Sequence, residues 1–440
     1  MQAEASSARR GMPLHSKILI GLVLGASAGT AGNLLLPGDP RLLWAVDNVL
    51  NPIGQIFMRL LFMVVVPLVF TSVTLGVASL GDIRRIGRIG SKTLLFFLAT
   101  TALAAVIGLT LTNLVRPGDS LDPEVRTSLM EEYSSQAGER MAAAESTKFG
   151  VETFVNIVPK NPVEAAAKGD MLGLIFFSLI FGIALTMIGE SGRKPVMDVL
   201  VGISEAVMIM INFAMKLAPL GVFGLIFSVT AKFGYNLLQS LLLYVVTVLV
   251  GLAIHQFAVI PTLAKLLAGI GPRQFFLGIK QLVVTAFSTS SSNATLPTTI
   301  RTATDNFGVP PEIAGFVLPL GATMNMNGTA LFEGMTVLFL AQVFGIQLDL
   351  LTQVIVVIMS VITAVGVAGV PSGSIPLLVM VMGMVGIPGE GIALILGVDR
   401  ILDMCRTVLN VTGDLLTSLV ITRSEGLPFR VPDPADGRPA

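Results

Sequence analysis

The chain has 440 residues, of which 53% are hydrophobic and 13% are charged, and its formal net charge is zero. Soluble domains carry roughly 25% charged residues, so this composition predicts a membrane protein, and the lack of a basic balance argues against a nucleic-acid partner. A single cysteine and two distant histidines argue against a disulfide framework and a metal centre, and we expect no cofactor.

Six apolar segments precede residue 271, and each has about the length of 20 residues that a bilayer-spanning helix needs. In chain order they are residues 18–36, 51–80, 93–115, 172–189, 195–229 and 237–267. The second segment is long enough to imply a tilted helix. This pattern predicts an all-α polytopic membrane protein.

Beyond residue 271, long apolar segments are interrupted by polar clusters, at residues 288–297, 325–329, 366–374 and 399–414. Unpaired backbone groups are not tolerated against lipid, so these clusters are expected to be buried in protein or to line a cavity. Interrupted helices at this depth are typical of a transporter whose binding site lies in the middle of the membrane.

Basic residues predict the orientation of the chain in the membrane. Arg9, Arg10 and Lys17 precede the first span, further Lys and Arg residues follow the second, fourth and sixth, and only Arg41 separates the first two. Cytoplasmic loops carry the excess of basic residues. We therefore expect a multi-pass protein of the inner (plasma) membrane with both termini in the cytoplasm.

The last apolar segment carries five polar or charged residues, Asp399, Asp403, Arg406, Asn410 and Asp414, at spacings that place them on one face of a helix. A charge at bilayer depth costs several kcal/mol unless it is paired or hydrated, so this face is not expected to contact lipid. A purely structural ion-pair network is the alternative, but it does not account for the neighbouring polar clusters.

Asn325, Thr329 and Glu333 repeat at intervals of four residues, which predicts a second polar helix face. An ionised glutamate is expensive inside a membrane, so Glu333 is a candidate proton carrier. The alternative is a glutamate near a helix end or in a polar crevice with a fixed partner.

Two further polar runs, residues 288–295 and 369–374, are rich in serine and glycine. We interpret them as the tips of two re-entrant hairpins, where helix N-termini favour a carboxylate and free carbonyls favour a cation. A serine run is also compatible with a linker or a helix-packing patch.

An enzyme is disfavoured, because no Gly-x-Ser-x-Gly motif occurs and His255 has no motif beside it. We expect His255 to be a hydrogen-bonded buried residue.

With these residues the chain resembles the dicarboxylate/amino acid:cation symporter family, which includes the excitatory amino acid transporters and archaeal aspartate transporters. The resemblance covers about residues 15–425. The matching motifs, in order, are Asn156-Ile-Val-Pro-Lys-Asn-Pro162, Thr289-Ser-Ser-Ser-Asn-Ala-Thr-Leu-Pro297, Leu320-Gly-Ala-Thr-Met-Asn-Met-Asn-Gly-Thr329, Ala368-Gly-Val-Pro371 and Asp403-Met-Cys-Arg-Thr-Val-Leu-Asn-Val-Thr-Gly-Asp414.

The resemblance implies a homotrimeric elevator-type transporter with inverted repeats, eight transmembrane helices and two re-entrant helical hairpins. The implied parts are a disordered cytoplasmic N-terminus (1–15), a scaffold or trimerisation domain (16–86 and 150–234), a transport domain (87–116 and 235–425, with hairpins 271–305 and 350–386), an extracellular loop (117–149) and a cytoplasmic tail (426–440).

The resemblance also implies the roles of individual residues. Arg406 is expected to hold the side-chain carboxylate of an acidic amino acid, and Asp403 its amino group. The other implied substrate residues are Thr329, Thr407, Asn410, Ser291, Ser292 and Val370. The implied sodium sites are Gly321, Asn325, Asn410 and Asp414; Thr323 and Met326 with the backbone of residues 364–367; and Thr100, Thr101 and Asn325.

Three departures from the family pattern bear on the coupling ion. Asn327 stands where the family has an aspartate of the third sodium site, and Glu333 matches a proton-carrying glutamate. Ser290 and Met404 stand where family members have an arginine, and Arg400 is a candidate replacement. We expect coupling to protons with reduced or absent sodium dependence. The alternatives are a sodium-coupled symporter of glutamate, aspartate or C4-dicarboxylates and, more remotely, an anion-conducting channel.

Overall fold

The computed structural model describes residues 12, 14–78, 83–121, 158–168, 171–367, 369 and 371–430, and these residues contain helices and no strand. Several predicted features lie outside them. They are Val370, most of the loop expected at 117–149, the first eleven residues and the tail beyond residue 430.

The helices are numbered in chain order. They are α1 (Leu14–Leu35), α2 (Pro40–Ala45), α3 (Asn51–Met63), α4 (Val65–Ala78), α5 (Ile83–Val115), α6 (Pro162–Lys168), α7 (Met171–Met187), α8 (Glu190–Phe233), α9 (Asn236–Ile254), α10 (Ile260–Leu263), α11 (Pro272–Gly278), α12 (Lys280–Thr289), α13 (Ser292–Arg301), α14 (Pro311–Met324), α15 (Asn327–Val343), α16 (Leu350–Gly366), α17 (Ile375–Met384) and α18 (Ala393–Ser424). Short 3₁₀ turns occur at Pro117–Ser120 and Gly389–Ile392, and wider π turns at Val46–Leu50, His255–Val259, Ala264–Ala268 and Thr302–Asn306.

Six helical stretches in the described part of the chain are long and apolar enough to cross a membrane. They are Ser16–Leu35, Pro40–Leu75, Arg88–Ser120, Glu190–Phe233, Leu237–Ala268 and Ala393–Ser424, and two shorter apolar helices are Gly173–Met187 and Leu350–Val365. The chain is therefore a multi-pass, all-helical membrane protein.

Helices α1, α3, α4, α7 and α8 form one packing group, in which α1 lies along α8 and α4 along α7. Three glycines at intervals of four residues let α1 approach α8 closely. A Cβ atom added at Gly21 would lie 2.4 Å from the Pro219 carbonyl oxygen, and one at Gly25 would lie 2.8 Å from that of Phe223. Gly29 meets Phe227 in the same way, so any larger residue on this face would push the two helices apart.

Helices α5, α9 and α12 to α18 form a second group, with α15 and α18 at its centre. In the most apolar stretch of α18, 78% of the residues are buried, against 17% for α8. The polar residues of α18 therefore face protein, whereas much of the surface of α8 is left for lipid or for another chain.

Several predicted boundaries differ from the helices. α1 begins at Leu14, inside the segment expected to be disordered, and the predicted second span consists of α3 and α4, which meet at Val64. The expected domain boundary at residues 86 and 87 falls inside α5, whereas the one at 234 and 235 falls at Gly234, whose φ of +75° ends α8.

Candidate functional site

The polar face of α18 is buried within the second packing group. Asp399, Arg406 and Asp414 are each 2% exposed or less, and Asp403 and Asn410 are also buried. Because the face meets α9, α12, α14 and α15, its charges are paired within α18 or with these other elements. Three groups of polar contacts lie in this region.

The first group is centred on Arg406. Its Nη2 atom donates to Asp399 Oδ1 at 2.8 Å and to Asp403 Oδ1 at 2.9 Å, and its Cζ atom lies 3.8 Å from the centre of the Phe332 ring. Its Nε and Nη1 atoms have no hydrogen-bond partner among the described residues. A buried guanidinium with free donors suits an anionic ligand, because the donors otherwise remain desolvated and unpaired.

The tip between α16 and α17 reaches the same two aspartates through Ser372. The Ser372 backbone N–H donates to Asp403 Oδ2 at 3.0 Å, and its Oγ donates to Asp399 Oδ2 at 3.0 Å. Ser372 has a φ of +57°, a left-handed conformation that is strained for a residue with a side chain. The hydrogen bonds to the carboxylates offset this strain, so the tip conformation depends on the charged face of α18.

The tip between α12 and α13 contacts the other tip instead. Ser291 caps the N-terminus of α13, accepting from the Ala294 N–H at 3.1 Å, and its Oγ donates to the Gly369 carbonyl at 2.6 Å. The Asn293 N–H donates to the same carbonyl at 3.0 Å. Ser290 precedes this cap in the left-handed region, with a φ of +50°. The two predicted tips therefore meet.

A small cavity lies where the two tips meet α15 and α18, and its volume is about 10 Å³, which is room for about one water molecule. Its described lining residues are Ser290, Ser292, Met326, Thr329, Val367, Gly369, Gly373, Ser374, Asp403, Thr407 and Asn410. Five of the expected substrate residues thus share one cavity. Arg406 is not in this lining, and its guanidinium is bonded to Asp399 and Asp403 instead.

The break between α14 and α15 forms the second group of contacts. Asn325 Nδ2 donates to Asp414 Oδ1 at 2.9 Å, while Asn325 Oδ1 has no partner among the residues described. A Cβ atom at Gly321 would lie 2.5 Å from Asp414 Oδ1, so a glycine is needed there. The Gly328 N–H donates to Asn410 Oδ1 at 2.8 Å. Free oxygens around a buried carboxylate suit a hard cation.

The third group joins α5 to α15. Thr101 Oγ1 donates to Asn327 Oδ1 at 2.8 Å, and Thr100 Oγ1 lies 3.4 Å from the same atom. Asn327 Nδ2 has no partner in the described part of the chain. An amide that already accepts from two hydroxyl groups, and that carries no charge, makes this a weak cation site.

Glu333 on α15 is completely buried, and its Oε2 atom accepts a hydrogen bond from Thr363 of α16 at 2.5 Å. Its Oε1 atom has no partner among the described residues. The carboxyl group thus joins the central helix to the hairpin whose tip carries Ser372. An ionised carboxylate in this position is poorly compensated.

One expectation needs correction. Asn325 does not share a helix face with Thr329 and Glu333, because the chain leaves the helical conformation at Asn325 and Met326, between α14 and α15. The spacing argument assumed a continuous helix at this point. His255 is fully buried, and its ring interacts with the backbone of Thr100.

The remaining candidates lie near these groups. Met326 Sδ accepts from Asn410 Nδ2 at 3.2 Å, whereas Thr323 Oγ1 donates to the Leu320 carbonyl of its own helix. Arg400 Nη1 lies 3.9 Å from Asp403 Oδ2. The arginine is thus at the edge of the Arg406 group, where its charge adds to the local field.

Sequence reasoning did not assign roles to Ser372, Thr363 and Asp399. The helical spacing of Asp399 from Asp403 and Arg406 indicated that all three share a face, so the contact of Asp399 with Arg406 could have been predicted from the sequence. The contacts of Ser372 and Thr363 depend on how a hairpin folds back on α18 and α15, and no local pattern carries that information.

The chain matches known proteins over nearly its whole length. A model of the sodium:dicarboxylate symporter family matches residues 14–424. The chain is 39% identical over 417 residues to a proton/sodium-glutamate symport protein of Geobacillus stearothermophilus, covering 95% of this chain and 96% of that protein. It is 38% identical over 411 residues to a proton/glutamate-aspartate symporter of Escherichia coli (93% and 92%), and 32% identical over 416 residues to a C4-dicarboxylate transport protein of Bacillus subtilis (94% and 95%).

Proposed function

Because the chain belongs to the sodium:dicarboxylate symporter family, whose matched relatives are cation-coupled symporters of glutamate, aspartate or C4-dicarboxylates, we propose that it imports glutamate or aspartate with protons. In this proposal its dependence on sodium is reduced or absent. The protein is a transporter and not an enzyme.

The observation that carries the choice of substrate is the arrangement of Asp403 and Arg406. Asp403 lines the cavity, and its carboxylate accepts a hydrogen bond from the Arg406 guanidinium, whose Nε and Nη1 atoms have no partner among the described residues. A carboxylate at the cavity wall suits an ammonium group, and a guanidinium fork suits a carboxylate. This pairing favours an acidic amino acid over a C4-dicarboxylate, which has no amino group for Asp403. Thr329, Thr407, Asn410 and the hairpin-tip serines would bind the rest.

Proton coupling is supported by Glu333 and Asn327. Glu333 is a fully buried carboxyl at the contact between α15 and α16, and its Oε1 atom has no partner among the described residues. Since an uncompensated buried charge is costly, such a group is suited to carry a proton when the site is buried during transport. Asn327 supplies a neutral amide where the family resemblance implies a carboxylate ligand, which weakens the case for a third sodium site.

Sodium-coupled transport is the second candidate, and the contacts around Asp414 favour it. Asn325 Oδ1 has no partner among the described residues beside the Asp414 carboxylate, and the missing side chain at Gly321 lets that carboxylate approach α14 closely. A cation at this position would compensate a buried negative charge. Protons as the main coupling ion and sodium at this one site are compatible, so the two candidates differ in how much transport depends on sodium.

We also propose the elevator architecture that the family resemblance implies. Helices α1 to α4 and α6 to α8 would form the scaffold of a homotrimer, and α5 with α9 to α18 would form the moving domain. The helices of each packing group contact one another more than they contact the other group, which supports this division, as does the exposed apolar surface of α8. The two hairpins would be α11 to α13 and α16 to α17, with both termini in the cytoplasm and the protein in the inner membrane.

Uptake of labelled L-glutamate and L-aspartate into proteoliposomes tests this proposal. One set of vesicles has an inward proton gradient without sodium, and another has an inward sodium gradient at equal pH. We expect accumulation in the sodium-free set, and its loss in Glu333→Gln. Thr363→Val is the matched control, because it removes the hydrogen bond to Glu333 but keeps the carboxyl group.

The outcomes separate the candidates. Accumulation only with sodium would overturn the proton proposal in favour of the Asp414 site. Flux that never exceeds equilibrium with any gradient would indicate a passive anion pathway. Competition by succinate stronger than by L-glutamate would replace the amino acid with a C4-dicarboxylate.

A further inference from the structure

The contacts of Arg406 restrict how it binds a second carboxylate. A guanidinium has two edges for a bidentate carboxylate, Nη1 with Nη2 and Nε with Nη2, and both use Nη2. In this structure Nη2 already donates to Asp399 and to Asp403. A substrate carboxylate therefore cannot take either edge in full until one of the two aspartates gives up its hydrogen bond.

Asp399 is the aspartate that is free to leave. Asp403 lines the cavity and is also held by the Ser372 backbone N–H, which leaves it facing the place of an ammonium group. Asp399 is not among the described lining residues, and among the described residues it is held by two groups, the Arg406 Nη2 atom and the Ser372 hydroxyl. Asp403 has a third contact, with Arg400 at 3.9 Å, so releasing Asp399 breaks fewer contacts.

We propose that Asp399 stands in for the substrate carboxylate at Arg406 while the site is empty, and that it takes up a proton when the substrate displaces it. This inference rests on the proposed function and adds a second proton-binding carboxyl to it. The step is a simple exchange. The Nη2–H···Oδ1 hydrogen bond of Asp399 is replaced by one to the substrate, and a proton from the aqueous phase binds an Asp399 oxygen.

The surrounding charges explain why a proton is needed. In the empty site the two carboxylates are balanced by Arg406 and by Arg400, which lies 3.9 Å from Asp403. An acidic amino acid, with two carboxylates and one ammonium group, adds one negative charge. The other titratable groups near this cluster are Tyr244 on α9, which interacts with Asp399, and Glu333 on α15, which interacts with Arg406. Asp399 is 2% exposed, so water does not compensate for the added charge.

Ser372 has a defined part in this exchange. Its backbone N–H holds Asp403 and its hydroxyl holds Asp399, so the hairpin tip closes over the empty site by bonding the two groups that surround the guanidinium. When Asp399 becomes neutral, its carboxyl group still hydrogen-bonds to the Ser372 hydroxyl, now as donor or acceptor. The tip can therefore stay closed both in the empty site and in the substrate-bound site. A carrier that crosses the membrane without substrate needs the tip to close over the empty site.

The test measures proton uptake on substrate binding. Purified full-length protein in detergent is titrated with L-aspartate and L-glutamate by calorimetry in buffers of different ionisation enthalpy, which gives protons bound per substrate. We expect Asp399→Asn to bind one proton fewer than the wild type, and Glu333→Gln to keep the proton of Asp399. We also expect Asp399→Asn to bind substrate roughly tenfold or more tightly, because a charged competitor for Arg406 is removed.

Ser372→Ala provides a second variant that leaves every charge in place. It removes one of the two bonds that hold Asp399, and we expect a smaller gain in affinity with unchanged proton uptake. Proton uptake in Asp399→Asn equal to that of the wild type, with the protein folded by its thermal melting curve, would overturn the inference and leave the proposed function intact. If the wild type binds neither amino acid, the proposed function itself fails.

Discussion

Helix α18 takes part in two clusters of carboxylates and cations that differ in burial and in charge balance. Within the helix, Arg406, which is 1% exposed, meets two carboxylates, and Arg400 lies at the edge of this group, 3.9 Å from Asp403. Just beyond its last residue, Glu425, whose side chain is 7% exposed, meets two cations, Arg88 and Lys92, which are 75% and 38% exposed. The buried cluster has two carboxylates around one central guanidinium, whereas the cluster with exposed cations has two cations around one carboxylate.

This difference distinguishes a cluster suited to binding a ligand from one that holds two helices together. An exposed pair is screened by water, and its charge balance matters little. In a buried cluster, a charged group without a partner has a large free-energy cost. Such a group is therefore expected where a ligand or an ion supplies the missing partner. The Arg406 cluster is suited to receive a further charged group from a ligand. The Glu425 cluster joins the start of α5 to the end of α18.

Replacing the buried cation Arg406 is expected to have the largest effect on transport and on stability. We expect Arg406→Gln to lower uptake of acidic amino acids by about 100-fold or more, because it leaves two buried carboxylates uncompensated and removes the anion-binding group. The same change should destabilise the protein by about 3–5 kcal/mol unless those carboxylates take up protons. Initial uptake rates and thermal melting in detergent measure the two effects.

Arg406→Lys is the matched control for this change. It keeps the charge but loses the planar fork, so stability should be largely restored while affinity stays low. Near-normal affinity in Arg406→Lys would mean that a point charge suffices and that bidentate binding is not used.

Glu333→Gln tests a buried carboxyl that forms no ion pair with any described residue. The amide oxygen retains a bond from Thr363, so the fold should be unchanged, and the group no longer exchanges a proton. We expect accumulation driven by a proton gradient to fall by roughly tenfold or more, since an intramembrane carboxyl of this kind is a proton-relay group. Exchange of internal unlabelled for external labelled glutamate should continue. Loss of both activities would indicate a structural role instead.

Asn327→Asp places a carboxylate at the neutral site between α5 and α15. The new carboxylate would lie beside the Thr100 and Thr101 hydroxyls and would favour a hard cation there. We expect sodium to stimulate glutamate uptake by several-fold more in the variant than in the wild type, measured as the ratio of rates with sodium and with choline. Asn327→Ser, which adds no charge, should show no gain.

The sequence predicted the fold well where composition and spacing carry the information. Long apolar runs marked the crossing helices, and the spacing from Asp399 to Asp414 predicted a single buried face, because a helix repeats every 3.6 residues. The interruption at residues 325–329 was predicted and occurs between α14 and α15. The shared face of Asn325, Thr329 and Glu333 was wrong, since their spacing was read on a continuous helix. The bonds from Ser372 to Asp399 and Asp403 join residues about 30 positions apart, and the approach of the hairpin to α18 is set by tertiary packing alone.

The smallest effect is expected at the exposed cluster. Lys92, followed by Arg88, hydrogen-bonds the Glu425 carboxylate and lowers its pKa below the ordinary value of 4.5. A carboxyl group with a lowered folded-state pKa stabilises the protein at pH values above its unfolded pKa, and this contribution is lost as the pH falls through the folded pKa. Glu425→Gln should therefore lower the melting temperature slightly at neutral pH and not at all in acid.

Glu164→Gln is the matched control for the exposed cluster, because Glu164 forms its ion pair with Lys168 inside the single short helix α6. It should have even less effect than Glu425→Gln, since Glu425 joins residues more than 330 positions apart. Uptake should be unchanged in both variants. A loss of transport in Glu425→Gln without a change in melting temperature would contradict the separation of the two clusters, because the junction of α5 and α18 would then take part in the transport cycle.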